Sequence, residues 1–140
     1  MLVSLENLAG FAHEFVQSLP QSVGTRAHIV GLQGDLGAGK TTFVQHLARE
    51  LGVRESVTSP TFVIMQKYKT THPVFTTLVH IDAYRLKPGE SETIGWSGVT
   101  EDPHSLVIVE WPTLLDAFPP DAQTLVFSVT SEEERSVEYA

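Results

Sequence analysis

The spacing of apolar residues along the chain predicts two helices. Residues 4–19 carry apolar side chains every three or four positions, as expected of a helix with one buried face. The members of this apolar stripe are Leu5, Leu8, Phe11, Ala12, Phe15 and Leu19. Ser4 is suited to cap the helix, and Pro20 is suited to end it. A second helix is predicted by the stripe that precedes the stop residue Gly52 and consists of Phe43, Val44, Leu47 and Leu51.

Shorter apolar runs, some continuous and some alternating with polar residues, predict strands. These runs occupy residues 27–32, 62–68, 74–81, 106–109, 125–129 and 135–139. Residues 70–73 suit a hairpin, so the strands on either side of them are predicted to be antiparallel. The stretch 87–104 contains several glycines and prolines and predicts turns around a short helix near residues 90–94. Together these elements predict an α/β fold.

Length, charge and composition narrow the class of protein. A chain of 140 residues suits one domain spanning residues 1–140, and no internal repeat or linker interrupts it. It has no cysteine, no apolar run near the roughly 20 residues of a membrane span, and no basic start typical of a signal peptide. These features agree with a cytoplasmic protein. The net charge of −8, with 9 Lys plus Arg, argues against a broad nucleic-acid surface.

The sequence G-D-L-G-A-G-K-T-T at residues 34–42 matches the phosphate-binding pattern G-x-x-x-x-G-K-[ST] at every required position. Its glycines allow backbone N–H groups to turn towards an anion, and the helix that follows adds the positive end of its dipole. Lys40 is predicted to contact the β- and γ-phosphates of a nucleotide, and the Thr41 hydroxyl to ligate Mg²⁺. The predicted nucleotide-binding residues of this phosphate loop are Asp35, Gly37, Ala38, Gly39, Lys40, Thr41 and Thr42.

Two acidic residues follow apolar runs at positions where a phosphate-binding loop needs a carboxylate. Asp82 follows residues 78–81, and Glu110 follows residues 106–109. A carboxylate at the end of a neighbouring strand holds Mg²⁺, directly or through water, or orients the attacking water. Asp82 and Glu110 are therefore predicted to be catalytic and, with Thr41, metal-binding. The sequence leaves open which of the two acids contacts the metal directly.

Two further residues each allow a structural and a nucleotide-related interpretation. Thr61, in the loop after the phosphate-loop helix, is either an ordinary turn residue or a sensor of the γ-phosphate, as in switch loops. Arg135 either lies on the surface or contacts a nucleotide. The six histidines show no metal-ligand spacing, and among them only His80 lies beside a motif.

Four motifs together give a more specific indication. Residues 34–42, S-P-T-F at 59–62, H-I-D-A-Y-R at 80–85 and E-W-P at 110–112 occur in the order and spacing of the TsaE (YjeE) family. The chain resembles these bacterial ATPases, which are required for threonylcarbamoyladenosine modification of tRNA, over roughly residues 4–139. The resemblance implies a three-layer α/β fold of the P-loop NTPase type, with a mixed parallel and antiparallel central sheet.

The same resemblance implies ATP as substrate, Mg²⁺ as cofactor, and weak ATPase activity within an assembly with TsaD-like and TsaB-like proteins. In such an assembly TsaD modifies adenosine, and tRNA is reached only through the complex. Carried over to this chain, Lys40, Thr41 and Thr42 hold phosphates and Mg²⁺, Glu110 is a metal-side carboxylate, and Asp82 serves catalysis. Trp111 and, by a weaker match, Arg135 lie near the nucleotide.

Two alternatives use the same loop. A small-molecule kinase would transfer phosphate to a metabolite, but such enzymes usually need a lid rich in arginine, and none is visible in the sequence. A GTPase-like switch would need the guanine-reading pattern Asn-Lys-x-Asp. That pattern cannot occur here, because Asn7 is the only asparagine in the chain.

Overall fold

The computed structural model describes residues 2–35, 38–55, 57 and 65–139. The strands are β1 (Leu2–Ser4), β2 (His28–Gln33), β3 (Met65–Lys69), β4 (Thr77–Asp82), β5 (Ser105–Glu110), β6 (Gln123–Val129) and β7 (Glu134–Tyr139). The α-helices are α1 (Leu8–Gln17), α2 (Lys40–Glu50) and α3 (Trp96–Thr100). Short 3-10 turns cover Leu5–Asn7, Glu92–Ile94 and Pro112–Leu114.

The described strands form one seven-stranded sheet in the order β1-β7-β6-β2-β5-β4-β3. The central pairs β6–β2, β2–β5 and β5–β4 are parallel, whereas β3–β4, β6–β7 and β1–β7 are antiparallel. The predicted mixed sheet and the predicted antiparallel hairpin of β3 and β4 are both confirmed. Because the central strands are parallel, their carboxyl ends meet at one edge of the sheet, where ligands bind in open α/β folds.

Hydrophobic clusters on both faces of the sheet make the fold three-layered, as predicted. On one face α1 and α2 pack on the sheet around Phe43, which is fully buried. Its ring centroid lies 5.5 to 5.6 Å from those of Phe11, Phe15 and Phe127. The other face is covered by α3 and by the segment that follows β5. Burying Phe43 against both α1 and β6 fixes α2, and thus the phosphate loop before it, on the sheet.

Several element boundaries differ from the prediction. The first helix was predicted from residue 4, but Ser4 pairs with Glu134 in the sheet and α1 begins only at Leu8. Ser4 still caps the chain locally, since its hydroxyl accepts a hydrogen bond from the Asn7 N–H at 3.1 Å. The strand predicted from residue 74 begins at Thr77, because the N–H groups of residues 74 and 75 donate to Nδ1 of His72 instead.

The stretch 87–104 also folds differently in detail. The short helix predicted near residues 90–94 is a 3-10 helix at Glu92–Ile94, and the stretch also contains the unpredicted α-helix Trp96–Thr100. Gly95 separates the two with a φ of 82°, a left-handed conformation that glycine adopts without strain. The predicted strand residues 62–64 lie outside the described residues. Within the described part of the chain, no helix combines the length and apolar character needed to cross a membrane.

Candidate functional site

The phosphate loop leaves β2 and leads directly into α2. Gly34 lies so close to β6 that a Cβ atom there would be 2.5 Å from the carbonyl oxygen of Phe127, so only glycine fits. Gly39 is the N-terminal cap residue of α2 and has a left-handed φ of 99°. Between them, the Ala38 N–H donates to the Asp35 carbonyl at 3.1 Å. Gly37, also predicted to bind nucleotide, lies outside the described residues.

Lys40 is the first residue of α2, and its ammonium group is held inside the site. The residue is only 4% exposed. Its Nζ donates to the Gly34 carbonyl oxygen at 2.5 Å and lies 3.7 Å from the centroid of the Trp111 ring. Burial lowers the pKa of Lys40, and the charges of nearby carboxylates oppose this shift. The loop therefore keeps a desolvated cation beside the backbone groups that would face a phosphate.

The two strand-end acids lie side by side on neighbouring strands. Asp82 and Glu110 are direct partners in the parallel pair β4–β5, and Glu110 is paired with Leu32 of β2. Side chains alternate between the two faces of a strand, so both carboxylates share the face of the sheet that carries α2. The Thr41 hydroxyl lies 3.4 Å from each carboxylate oxygen of Glu110. The structure thus brings Lys40, Thr41, Asp82 and Glu110 to one edge of the sheet.

Asp82 and Glu110 have different surroundings. Burial raises the pKa of Asp82, and its Oδ1 accepts a hydrogen bond from the Tyr84 N–H at 3.0 Å. Glu110 is 4% exposed, and its Oε2 lies 2.6 Å from Nε2 of the fully buried His80. Asp82 is half-buried, whereas Glu110 is almost fully buried and is held by a side-chain partner.

The contact between His80 and Glu110 is the feature of the site that the sequence analysis missed. In the sequence, His80 stands out only by its place beside a motif. The signal was present, however, because residues 80 and 82 are two apart on one strand and so share a face. In the parallel register, His80 pairs with Ile108, which places it diagonally across from Glu110. Predicting the contact between His80 and Glu110 requires both the alternation of side chains along a strand and the knowledge that β4 pairs with β5.

Trp111 turns the chain sharply at the end of β5. Its φ of 59° is the only positive φ of a non-glycine residue in the described part of the chain, a conformation that costs about 1–3 kcal/mol. Its N–H donates to the Leu32 carbonyl at 3.1 Å, and its ring packs against that of Tyr84 at a tilt of 53°, with centroids 5.2 Å apart. This backbone conformation places the indole on Lys40. Trp111 therefore lies at the phosphate loop, whereas Tyr84, which received no prediction, is 55% exposed beside it.

The remaining predicted residues are less closely tied to this group. Thr42 is half-buried in the first turn of α2. Arg135 is buried in β7, and its guanidinium donates to carbonyl oxygens of the β6–β7 turn, at 2.8 Å for Ser131. Those contacts stabilise the turn, and a nucleotide contact from Arg135 stays a prediction. Thr61 lies outside the described residues.

The donor atoms at this edge are suited to Mg²⁺. Thr41, Asp82 and Glu110 offer only oxygen, which Mg²⁺ prefers over nitrogen or sulfur. In the part of the chain that the structure covers, no group of three or more His, Cys, Asp or Glu side chains forms a ready-made metal site. A Mg²⁺ ion that is also held by phosphates and water needs only one or two protein carboxylates, so the three residues fit such an ion.

Comparisons with known proteins agree with the fold and the motifs. The structure is similar to the crystal structure of Bacillus subtilis YdiB, with a TM-score of 0.71 and 26% identity, covering 99% of this chain and 82% of that one. A protein from Synechocystis, described as tRNA threonylcarbamoyladenosine biosynthesis protein TsaE, is 41% identical over 114 residues, or 78% of this chain. A Bacillus subtilis protein with the same description is 34% identical over 112 residues, or 79% of this chain.

The matched region spans 66% of the Synechocystis protein and 68% of the Bacillus subtilis protein, so the chain covers about two thirds of these relatives. The family model described as Threonylcarbamoyl adenosine biosynthesis protein TsaE matches residues 2–137, which is nearly the whole chain and includes each motif discussed above. The chain therefore belongs to the TsaE family.

Proposed function

We propose that the protein binds Mg-ATP at the phosphate loop and hydrolyses it in support of threonylcarbamoyladenosine biosynthesis on tRNA. The observation that carries this proposal is the convergence of Lys40, Thr41 and Glu110. The Thr41 hydroxyl lies 3.4 Å from both Glu110 oxygens, and the Lys40 ammonium lies 2.5 Å from the carbonyl oxygen of Gly34. A cation and a hydroxyl in the first turn of α2, with a carboxylate from the end of β5 beside them, are the parts that a P-loop ATPase requires.

Each residue has a distinct role in the proposed reaction. Lys40 neutralises the phosphates, and Thr41 with Glu110 holds Mg²⁺. A Mg²⁺ ion held by these two residues would supply positive charge to offset the charge that develops on the phosphate oxygens. Asp82 lies next to Glu110, and burial raises its pKa. A carboxylate with a raised pKa is suited to orient an attacking water molecule and to accept a proton from it. The Trp111 ring lies over the Lys40 ammonium and also contacts the Tyr84 ring.

We further propose that hydrolysis is coupled to association with TsaD-like and TsaB-like proteins in the cytoplasm. The net charge of −8 argues against a direct, tight grip on tRNA, so tRNA would be reached through the complex. The exposed aromatic ring of Tyr84 packs against Trp111, so a partner that binds Tyr84 would act next to a residue that contacts Lys40. We propose that Thr61 and Trp111 take part in coupling hydrolysis to partner binding.

The test is the steady-state ATPase rate as a function of partner concentration, with tRNA present and absent. We expect a low rate for the isolated protein and a higher rate with both partners. Thr61→Ala and Trp111→Ala should reduce the stimulation. A high rate that partners leave unchanged would contradict the coupling. Product analysis separates ATPase from kinase activity, since a phosphorylated metabolite in place of free phosphate would establish the kinase alternative.

A further inference from the structure

Two buried, oppositely charged side chains share the site without forming an ion pair. Lys40 and Glu110 are each 4% exposed, and opposite charges attract strongly where water is excluded. Yet no contact within 4.0 Å joins the two among the ion pairs of the described residues. The Lys40 ammonium instead contacts the Gly34 carbonyl and the Trp111 ring, while the Glu110 carboxylate contacts His80 and Thr41. Each of the two charges therefore has its own partners in this structure.

The hydrogen bond from His80 fixes one side of this arrangement. A carboxylate only accepts hydrogen bonds, so the His80 nitrogen 2.6 Å from Glu110 Oε2 must carry the hydrogen. The other ring nitrogen, Nδ1, is buried and has no partner among the described residues. A hydrogen there would be a buried, unsatisfied donor, whereas a lone pair is less costly. The ring therefore donates through Nε2 and holds Oε2 of the Glu110 carboxylate in place.

We propose that His80 is a positioning residue that keeps the Glu110 carboxylate away from Lys40. By holding Oε2, the imidazole leaves Oε1 and the Thr41 hydroxyl available to a metal ion and leaves the ammonium available to phosphate. Without that bond, Glu110 would rotate towards Lys40, and the resulting ion pair would neutralise both groups. This role rests on the proposed function of the same site, since it concerns the residues that would bind Mg²⁺ and nucleotide.

A role as mere filler of the core makes a different prediction. His80 lies on a strand between apolar neighbours, and its Nδ1 is unsatisfied, so His80→Leu would keep or improve packing. If His80 only filled space, His80→Leu would bind ligands as the wild type does. Two polar variants sharpen the comparison. His80→Gln places an amide donor close to the position of Nε2, whereas His80→Asn places it close to the position of Nδ1, away from Glu110.

The first measurement is calorimetric titration of Mg²⁺ into the nucleotide-loaded protein. We expect His80→Leu and His80→Asn to bind Mg²⁺ roughly 10- to 100-fold more weakly than the wild type, as is typical when a partner of a metal ligand is lost. His80→Gln should retain most of the wild-type affinity. Equal Mg²⁺ affinity of His80→Gln and His80→Asn, with both proteins folded by thermal unfolding, would overturn the proposal. This comparison stands even if His80→Leu does not fold.

The second measurement uses ADP in EDTA, so that no metal contributes. His80→Leu should weaken ADP binding by roughly tenfold, because Glu110 then occupies the ammonium that would contact the β-phosphate. Adding Glu110→Gln to that variant removes the competing charge, and ADP affinity should recover. No loss in the single variant, or no recovery in the double variant, would overturn the proposal. If the wild type itself bound no ADP, the proposed function would fail first, and this role with it.

Discussion

Replacing Lys40 by methionine tests the phosphate loop most directly. Methionine has nearly the same length and shape, so the substitution removes the charge and the donor while leaving the buried chain in place. Burial already lowers the pKa of Lys40, which means that its charged form is disfavoured in the folded protein. We therefore expect Lys40→Met to fold as well as the wild type, so that a loss of binding reports on the ligand contact alone.

The expected loss of binding free energy is the difference between the contacts that the Lys40 ammonium makes with the nucleotide and those that it gives up in the free protein. Two charge-assisted hydrogen bonds to the β- and γ-phosphates contribute about 3–6 kcal/mol. In the free protein, however, Lys40 already makes a hydrogen bond of 2.5 Å to the Gly34 carbonyl and a contact of 3.7 Å with the Trp111 ring. Giving these up costs about 1–3 kcal/mol. Taking the middle of each range, the net loss in Lys40→Met is about 2.5 kcal/mol, or roughly 70-fold in Kd.

The assay is isothermal titration of ATP in excess Mg²⁺ at one fixed ionic strength, because exposed charges are screened by salt. Lys67→Met is the matched control. Lys67 is an exposed residue of the outermost strand β3, so its substitution changes net charge equally but leaves the site intact. Thermal unfolding of both variants verifies their folds. A folded Lys40→Met protein with a Kd within about twofold of the Lys67→Met value would refute the assignment of this lysine to the phosphates.

Three further outcomes are expected. Glu110→Ala and Asp82→Ala should reduce ATP hydrolysis far more than nucleotide binding. Single-turnover kinetics and a binding titration on the same variants measure the two effects. Full activity in both variants would show that these acids have no catalytic role. Burial raises the pKa of Asp82, so its charge destabilises the folded state once the pH rises above the usual value near 3.8. Asp82→Asn should therefore raise Tm at pH 7, with the gain shrinking as pH falls towards that value; a gain independent of pH would contradict this reasoning. Gly52→Ala should destabilise the protein by about 1–3 kcal/mol in urea unfolding, because φ there is 82° and a Cβ atom would clash with Thr71. Gly10→Ala, in open space on α1, should instead stabilise it by up to about 1 kcal/mol; equal effects of the two substitutions would show that the conformation of Gly52 does not matter.

Much of the fold could be predicted from the sequence because it depends on patterns of residues close together in the chain. The phosphate loop between β2 and α2, the hairpin of β3 and β4, and the acids at the ends of β4 and β5 all follow from residues close in sequence. Predictions failed where a distant partner decided the outcome. Ser4 looks like the start of a helix, but it pairs with Glu134 at the far end of the chain. Val74 continues an apolar run, yet its N–H is taken by His72 and not by the sheet.

For the candidate site, the sequence by itself determined which chemical groups are present and which helix or strand end carries each of them. Loop glycines, a lysine, a hydroxyl and two strand-end carboxylates can be identified from residue types and periodicity alone. Only the tertiary structure decided how these groups are paired. The parallel register of β4 and β5 sets His80 against Glu110, and the positive φ of Trp111 lays its ring on Lys40. Such contacts join residues 30 to 71 positions apart, where strand register and backbone geometry, not local pattern, fix which atoms meet.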